Sequence, residues 1–544
     1  MTVYDYIIVG AGAAGCVLAA RLTETPAVSV LLLESGPRRH NPFLAVPAGE
    51  TLWMGNPKYD WCFQTQADPT IGDRRVGIPR GRLLGGSNAI NGMLFVRGQR
   101  EDYDDWAALG NPGWSWADVL PYFRRLEHVS GLAGETRGAD GPISVAPPRD
   151  RDELTDVFLA AAVQAGYPAN PDYNSGDQAG FGYYQVMHDR GRRSSAAGTY
   201  LKAARRRPNL TVTVDAHVTR LEFNGTRCIG VRYRSGGTEH TAGCTREAIL
   251  SAGVVQSCQL LELSGVGSAS LLKRLGIPVV HHLPGVGEGF RDHFAVRLRW
   301  RVRQPITFNE RSRGGRLARE AVRYALGRRG MLSLPIALGY GFVPASAGQQ
   351  RPDIQFHFAP ASYGPGSTRR LDTSPGMTLG VYPLRPQSQG SIHITSASPL
   401  DLPAISPRFL DSEYDQATLL TGVRIGRAIV AGTALDAYRE SELTPGAEVQ
   451  TDEDLLAYAR ATGDTSYHPV GTCRMGADPM AVVDHRLRVH GVDGVRVVDG
   501  SVMPAMVSGN TNAATFMIAE KGAAMIMENQ TAPVAVASDE RRSG

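Results

Sequence analysis

Tyr4-Asp5-Tyr6-Ile7-Ile8-Val9-Gly10-Ala11-Gly12-Ala13-Ala14-Gly15 lies close to the start of the chain and carries more architectural information than any other stretch. Tyr4 to Val9 is a short apolar run fit for a buried parallel strand. Cys16 to Leu22 has helical character and few breakers. Val28 to Leu33 is a second apolar run, ended by Glu34. Strand, helix and strand within about 30 residues make a βαβ unit. Each glycine has a physical reason. Gly10 permits the tight turn, Gly12 lets a pyrophosphate approach the backbone, and Gly15 lets helix and strand pack closely. The helix N-terminus offers free N–H groups and the positive end of its dipole to phosphates. Glu34, nineteen residues past Gly15, accepts hydrogen bonds from both ribose hydroxyls and repels a 2′-phosphate, which disfavours NADP. The unit reads as a Rossmann-like dinucleotide site. By itself it does not separate FAD from NAD.

Outward from this unit the pattern becomes mixed. Residues 101–127 read as helical, with a Gly-Asn-Pro-Gly turn at 110–113. Residues 210–250 hold short alternating runs that suggest antiparallel strands. Residues 353–358 and 391–395 alternate too, and suit a second sheet with one face toward a ligand. Residues 415–434 and 452–461 read as helices, and the tail after about Gln530 is small, polar and charged, as disordered ends are. Residues 311–329 carry seven arginines, with Leu317, Val322, Tyr324 and Leu326 among them. The reading preferred is a solvated helix or lid near an active-site mouth. The alternative is a basic amphipathic helix in peripheral contact with an anionic membrane.

The chain has 544 residues, 42 % hydrophobic and 20 % charged, with 62 glycines. That suits a loop-rich enzyme of two or more units. A net charge of +4 from 57 basic and 53 acidic residues gives no reason to expect a nucleic-acid partner. Cys16, Cys62, Cys228, Cys244, Cys258 and Cys473 form no CxxC pair and read as reduced thiols of a cytoplasmic protein. A first strand beginning by about Tyr4 leaves no room for a signal peptide. No apolar run is long enough for a membrane-spanning helix. The scattered histidines and cysteines support no metal site.

Further segments carry a resemblance. Gly81-Arg82-Leu83-Leu84-Gly85-Gly86-Ser87-Asn88-Ala89-Ile90-Asn91-Gly92-Met93 resembles the first signature of the glucose–methanol–choline (GMC) oxidoreductases, and Gly253 to Gly267 the second. Pro284 to Gly287 with Asp292-His293, Tyr467-His468-Pro469 through Gly476, Val497 to Asp499, and Gly509-Asn510-Thr511-Asn512 are similar to later family stretches. The match runs in order from about residue 4 to 527, and is nearest to the bacterial choline dehydrogenase and aliphatic alcohol dehydrogenase branch. Asn88, Val254, Cys258 and Gly289-Phe290-Arg291 depart from the usual pattern.

The resemblance implies an α/β (α+β overall) fold. Residues 1–150, 205–298 and 478–530 would form the FAD-binding domain. Residues 151–204 and 299–477 would form a substrate domain on an antiparallel sheet flanked by helices, and 531–544 the tail. It implies one FAD, with the backbone of Asn91, Gly92, Met93 and Leu94 beside the isoalloxazine and Gly85 and Gly86 allowing close approach. Val218 would meet the adenine, Asp499 the phosphate and ribityl chain, and Asn510 belongs to the same cofactor-facing pattern. Ile90 stands where some relatives bond flavin through histidine, so the FAD is expected to be non-covalent. His468 would take the proton of a primary alcohol while flavin N5 takes the hydride, giving an aldehyde. Asn512 would hold the substrate oxygen. Cys473 reads as a packing residue, and His293 as one that orders a loop. The Met331 to Phe342 segment, without acids, favours a neutral, partly apolar alcohol. Electrons would pass to a quinone, another carrier or O2. Choline dehydrogenase and oxygen-using alcohol oxidase remain alternatives, and hydroxynitrile lyase is the non-redox one.

Overall fold

The structure, a computed structural model, describes residues 2–38, 41–132, 134–346, 348–364 and 370–531. All of the expected tail except Thr531 lies outside the described residues.

One sheet is built on the opening unit. Its strand order is Leu210–Thr213, Val30–Leu33, Thr2–Val9, Thr238–Leu250, Arg227–Ser235, Ala216–Asn224, and Val495–Val497 pairs with Thr238–Leu250. Its centre is parallel: Tyr6 faces Val30, and Ile7 lies between Leu31 and Ala248. Both faces are covered, which is why Val30–Leu33 is apolar at every position and wholly buried. The Ala13–Leu22 helix and the C-terminal Asn512–Thr531 helix pack together on one face. Arg21 fastens them through two hydrogen-bonding nitrogens on the buried Glu520 carboxylate.

The antiparallel expectation for residues 210–250 needs two corrections. Thr238–Leu250 pairs antiparallel to Arg227–Ser235 but parallel to Thr2–Val9 and Val495–Val497. Leu210–Thr213 pairs parallel to Val30–Leu33. The Asn209 amide donates to the carbonyls of Thr25 and Val28, which sets the new strand beside the start of its neighbour and in the same direction. Alternation of side chains marks a strand but not its direction.

The second large sheet is antiparallel, in the order Arg439–Thr444, Phe294–Val302, Gly376–Pro383, Ile354–Ala359, Gly339–Val343, Gly180–Tyr183. Along Phe294–Val302, the side chains of Phe294, Val296, Leu298, Trp300 and Val302 enter one core. The Glu413–Val430 helix covers that side, and comes close because Gly422 and Gly426 face Val381 and Leu379 at distances too short for a methyl group. The opposite face carries Ala295, Arg297, Thr378, Gly380, His357 and Ala359 and looks into a cavity.

The run at 353–358 therefore has the expected ligand-facing place. The run at 391–395 does not. Gly390–His393 joins Glu288–Phe290 and Ala404–Ser406 in a separate three-stranded sheet. His393 is the reason it sits there, bridging Glu262 Oε1 at 2.7 Å and Glu288 Oε1 at 3.0 Å. Burial opposes the imidazolium, but the two carboxylates outweigh it and lift the His393 pKa to about 9. A raised folded-state pKa stabilises fully below the unfolded value and fades as pH rises through the folded one. Stability should thus fall between about pH 6.5 and about 9. Burial also holds Glu262 above its ordinary range, so we expect only about 1–2 kcal/mol to be at stake. Urea unfolding at pH 6.5 and 9.5 should show this slope in the wild type, and a clearly smaller one in His393→Gln. Equal slopes would refute it.

Candidate active site

A cavity of about 420 Å³ lies between the two sheets. Gly10, Gly12, Glu34, Gly86, Asn91, Gly92, Met93, Leu94, Val218, His468, Asp499, Asn510 and Asn512 all line it. Gly15 stands behind the wall. A Cβ on it would lie 1.9 Å from Gly10 O, so its role is helix-to-strand contact.

The nucleotide end fits a dinucleotide. Gly10 has φ +96°, and a Cβ on Gly12 would have no atom within 4 Å. Gly12 caps the Ala13–Leu22 helix with no side-chain hydrogen bond and no acid in the first turn, so the helix N–H groups face open space. Glu34 accepts from Ala11 N and Gly36 N at 2.9 and 2.8 Å. Burial lifts its pKa to about 7.

Gly86 has φ +53°, and a Cβ there would lie 2.8 Å from Gly12 Cα. Its smallness thus brings the first signature onto the dinucleotide loop, a protein–protein contact in addition to any close approach to flavin. Asp499, expected near the phosphate and ribityl chain, also lines the cavity. Its carboxylate accepts from Gly253 N, Ser257 Oγ, Ser501 N and Ser501 Oγ. That side chain braces the cavity wall. The unusual Asn88 is a buried brace as well, its Oδ1 accepting from Ala196 N. Asn91 Oδ1 accepts from Met93 N and Arg193 Nη1, and Met93 is held at φ +61°, a strained conformation for a non-glycine residue.

At the other end stands His468, 8 % exposed. Tyr467 before it has φ +66°. Arg80 Nη2 donates to Tyr467 O, and Tyr467 N donates to Thr465 Oγ1. Asp292 Oδ1 accepts from His468 N at 2.8 Å while its other oxygen takes Thr465 Oγ1. The strained turn is over-determined by these bonds.

The histidine ring has one consistent tautomer. His293 Nε2 lies 2.8 Å from Leu384 O, an acceptor only, so Nε2 carries the proton. Burial lowers the His293 pKa to about 4, so the ring is neutral and its Nδ1 is an acceptor. His468 Nδ1, 3.0 Å away, must donate to it. That leaves a lone pair on His468 Nε2, which receives Asn510 Nδ2 at 2.8 Å. Burial first, then the neighbouring imidazoles of His293 and His357 and the charge of Arg80, hold the His468 pKa well below 6.5. A neutral imidazole with a bare Nε2 on the cavity wall is equipped to accept a proton.

Asn512 is not brought to His468. It begins the C-terminal helix, and its amide points at Met187 Sδ, 3.4 Å away. Asn510, two residues earlier, meets His468, and its buried Oδ1 has no hydrogen-bond partner. His293, Asp292, Tyr382 and Arg80 were not read as part of the site. The adjacency of Asp292 and His293 in one motif was the available signal. His357 does face the cavity, and donates to or accepts from Tyr382 Oη at 2.7 Å. Cys473 is fully buried and its thiol pKa is raised by burial, in keeping with packing. Among the described residues no group of His, Cys, Asp or Glu is arranged for a metal.

The family model described as GMC oxidoreductase matches in an N-terminal part over residues 4–295 and a C-terminal part over 386–519. The chain is 42 % identical to mitochondrial choline dehydrogenase of Homo sapiens, covering 96 % of this chain and 89 % of that protein. It is 40 % identical to an alcohol dehydrogenase (acceptor) of Pseudomonas putida, covering 96 % of both. Its fold is similar to that of pyridoxine 4-oxidase from Mesorbium loti, with TM-score 0.89, 29 % identity, and 96 % and 99 % of the two chains covered. The chain belongs to the GMC oxidoreductases, as an FAD-dependent enzyme acting on CH–OH donors.

Proposed function

We propose that the protein oxidises a primary alcohol to the aldehyde, with His468 as the base. The observation that carries this is the bare Nε2 of His468, fixed by His293, on a cavity whose other end fits a dinucleotide. FAD supplies the hydride acceptor when bound. The residues do the rest. An alcohol O–H takes the lone pair now occupied by the Asn510 amide, Nδ2 turns to the alcohol oxygen, and the proton moves to His468 Nε2. Partial alkoxide character then weakens the C–H bond. The experiment is anaerobic absorbance of the holoenzyme with a panel of primary alcohols and choline, followed by admission of air. Bleaching by an alcohol supports the reading, and slow recovery in air supports a dehydrogenase. Turnover of a cyanohydrin without bleaching would move the assignment to a lyase.

Asn510 is the partner we assign, in place of Asn512. Asn510→Ala should slow flavin reduction by about 10- to 100-fold, the loss of one or two charge-assisted hydrogen bonds. Asn512→Ala, which loses a weak contact to sulfur, should have a much smaller effect. The reverse order would restore Asn512. Ile90 packs with Leu44, Trp53 and Tyr59 and offers no nucleophile, so FAD should be released by acid precipitation.

Electrons leave to a quinone or carrier, we propose, at the inner face of a membrane, with the protein otherwise cytoplasmic. The support is the Gly314–Gly327 helix. Val322 is 57 % and Leu326 87 % exposed, on an arc with Ala318, Ala321 and Ala325, and Arg316, Arg319 and Arg323 border it. Its one carboxylate, Glu320, is buried and ties the helix down through Met331 N. Eight residues past its end, Pro335, Ile336 and Ala337 line the cavity. No helix among the described residues is long and apolar enough to cross a membrane. Vesicles of phosphatidylglycerol should carry the protein upward in a flotation gradient, phosphatidylcholine vesicles should not, and Leu326→Asp should abolish it.

A further inference from the structure

The catalytic end of the cavity has a charged wall whose donors have no use in the proton transfer. Arg297 lies on the cavity face of the second sheet, directly across from Gly380, with His357 beyond Gly380. Gly380 has no side chain, and a Cβ there would meet nothing nearer than His357 Cβ at 3.5 Å. A hollow therefore opens between the guanidinium and the imidazole.

The main chain of Arg297 is fixed. Strand pairing holds it, and its carbonyl accepts from Tyr458 Oη at 2.8 Å. Its guanidinium is different. Asp464 Oδ2 stands 3.7 Å from Nη1, an ion pair without a hydrogen bond. Among the described residues nothing accepts a hydrogen bond from any of its five N–H groups. The other titratable groups facing it are the phenols of Tyr363, Tyr458 and Tyr467 and the imidazole of His357. Tyr382, two residues along the strand from Gly380, has its ring 6.2 Å from the His468 ring. Arg297 and His468 thus line one cavity.

We infer that Arg297 selects an alcohol that carries a carboxylate at the end remote from the hydroxyl. An Arg–carboxylate pair is commonly bidentate and charge-assisted, and this half-buried guanidinium, which makes no hydrogen bond among the described residues, presents its donors to the cavity. Pro335 to Ala337 carry no acid themselves and line the cavity together with Glu50, whose carboxyl pKa burial pushes up to about 7. This inference deepens the alcohol-oxidising reading and rests on it for turnover, although binding tests it separately.

The test compares 4-(hydroxymethyl)benzoate with benzyl alcohol as anaerobic reductants of the holoenzyme. A parallel titration uses 4-methylbenzoate, which has no hydroxyl, followed by the change in flavin absorbance. The wild type should prefer the acid by about 10- to 100-fold in half-saturating concentration, and Arg297→Gln should collapse that ratio. Arg297→Lys should keep part of it. Asp464→Asn, which relieves the guanidinium of its counter-charge, should tighten 4-methylbenzoate binding. A wild type that prefers benzyl alcohol, or a preference untouched in Arg297→Gln, overturns the inference and leaves the alcohol reading standing. If neither alcohol bleaches the flavin, that reading fails, and 4-methylbenzoate still decides the Arg297 site. Binding that weakens in Arg297→Gln supports the site, and no binding refutes it.

Discussion

Replacing His468 with glutamine is expected to slow reduction of the bound flavin by a primary alcohol by about 10²- to 10⁴-fold, with FAD still bound. Glutamine fills a similar space and retains the backbone bond to Asp292 Oδ1, so the loss is one of chemistry. Without the bare Nε2 the alcohol must ionise unaided. The pH dependence follows from the same ring. A base acts when deprotonated, and burial with three neighbouring positive or imidazole groups keeps this one well below 6.5. The wild-type rate should therefore be level from pH 6.5 upward, with any acid limb below that. Stopped-flow reduction across pH checks both points. Near-normal reduction by the variant, or an acid limb centred above pH 7, would refute the assignment.

Gly15→Ala is expected to yield protein depleted of FAD. The new Cβ would lie 1.9 Å from Gly10 O, and Gly10 is itself held by its N–H to Leu33 O at 2.8 Å. Neither atom is the movable end of a side chain. Overpacking of this kind costs about 1–3 kcal/mol, which weakens FAD binding by about 10- to 100-fold if the loop alone yields. Gly12→Ala makes an instructive contrast, since a Cβ there meets no protein atom. That variant should fold and melt like the wild type, yet bind FAD poorly. The flavin-to-protein absorbance ratio and the melting temperature of the apoproteins separate the two. Full FAD occupancy in Gly15→Ala would show that the helix can slide.

The opening βαβ unit was legible because its determinants are local. Apolar runs, glycines and an acid lie within 35 residues, and each position has one physical reason. Strand partnership was less so. Leu210–Thr213 and Gly390–His393 read as strands, but their neighbours are chosen by Asn209 and His393, through bonds to residues far off in sequence. The proposal of His468 as base came from a resemblance, and the structure added its surroundings. Asn510 and Asn512 are two apart in one motif, and only the start of the C-terminal helix at Asn512 decides which amide faces His468. Arg297 sits in an alternating strand rich in arginine, where nothing in sequence separates the inward guanidinium from Arg299 and Arg301.

Asp292 and His293 act on His468 in different ways: one takes its main-chain N–H, the other its ring Nδ1–H. One dipeptide on a neighbouring segment thereby sets both the position and the proton inventory of the His468 ring. For the protein engineer this makes residues 291–293 and 464–469 a single exchangeable cassette. Swapping the histidine loop from a relative to import a new substrate range should fail when moved alone, and succeed when its dipeptide travels with it.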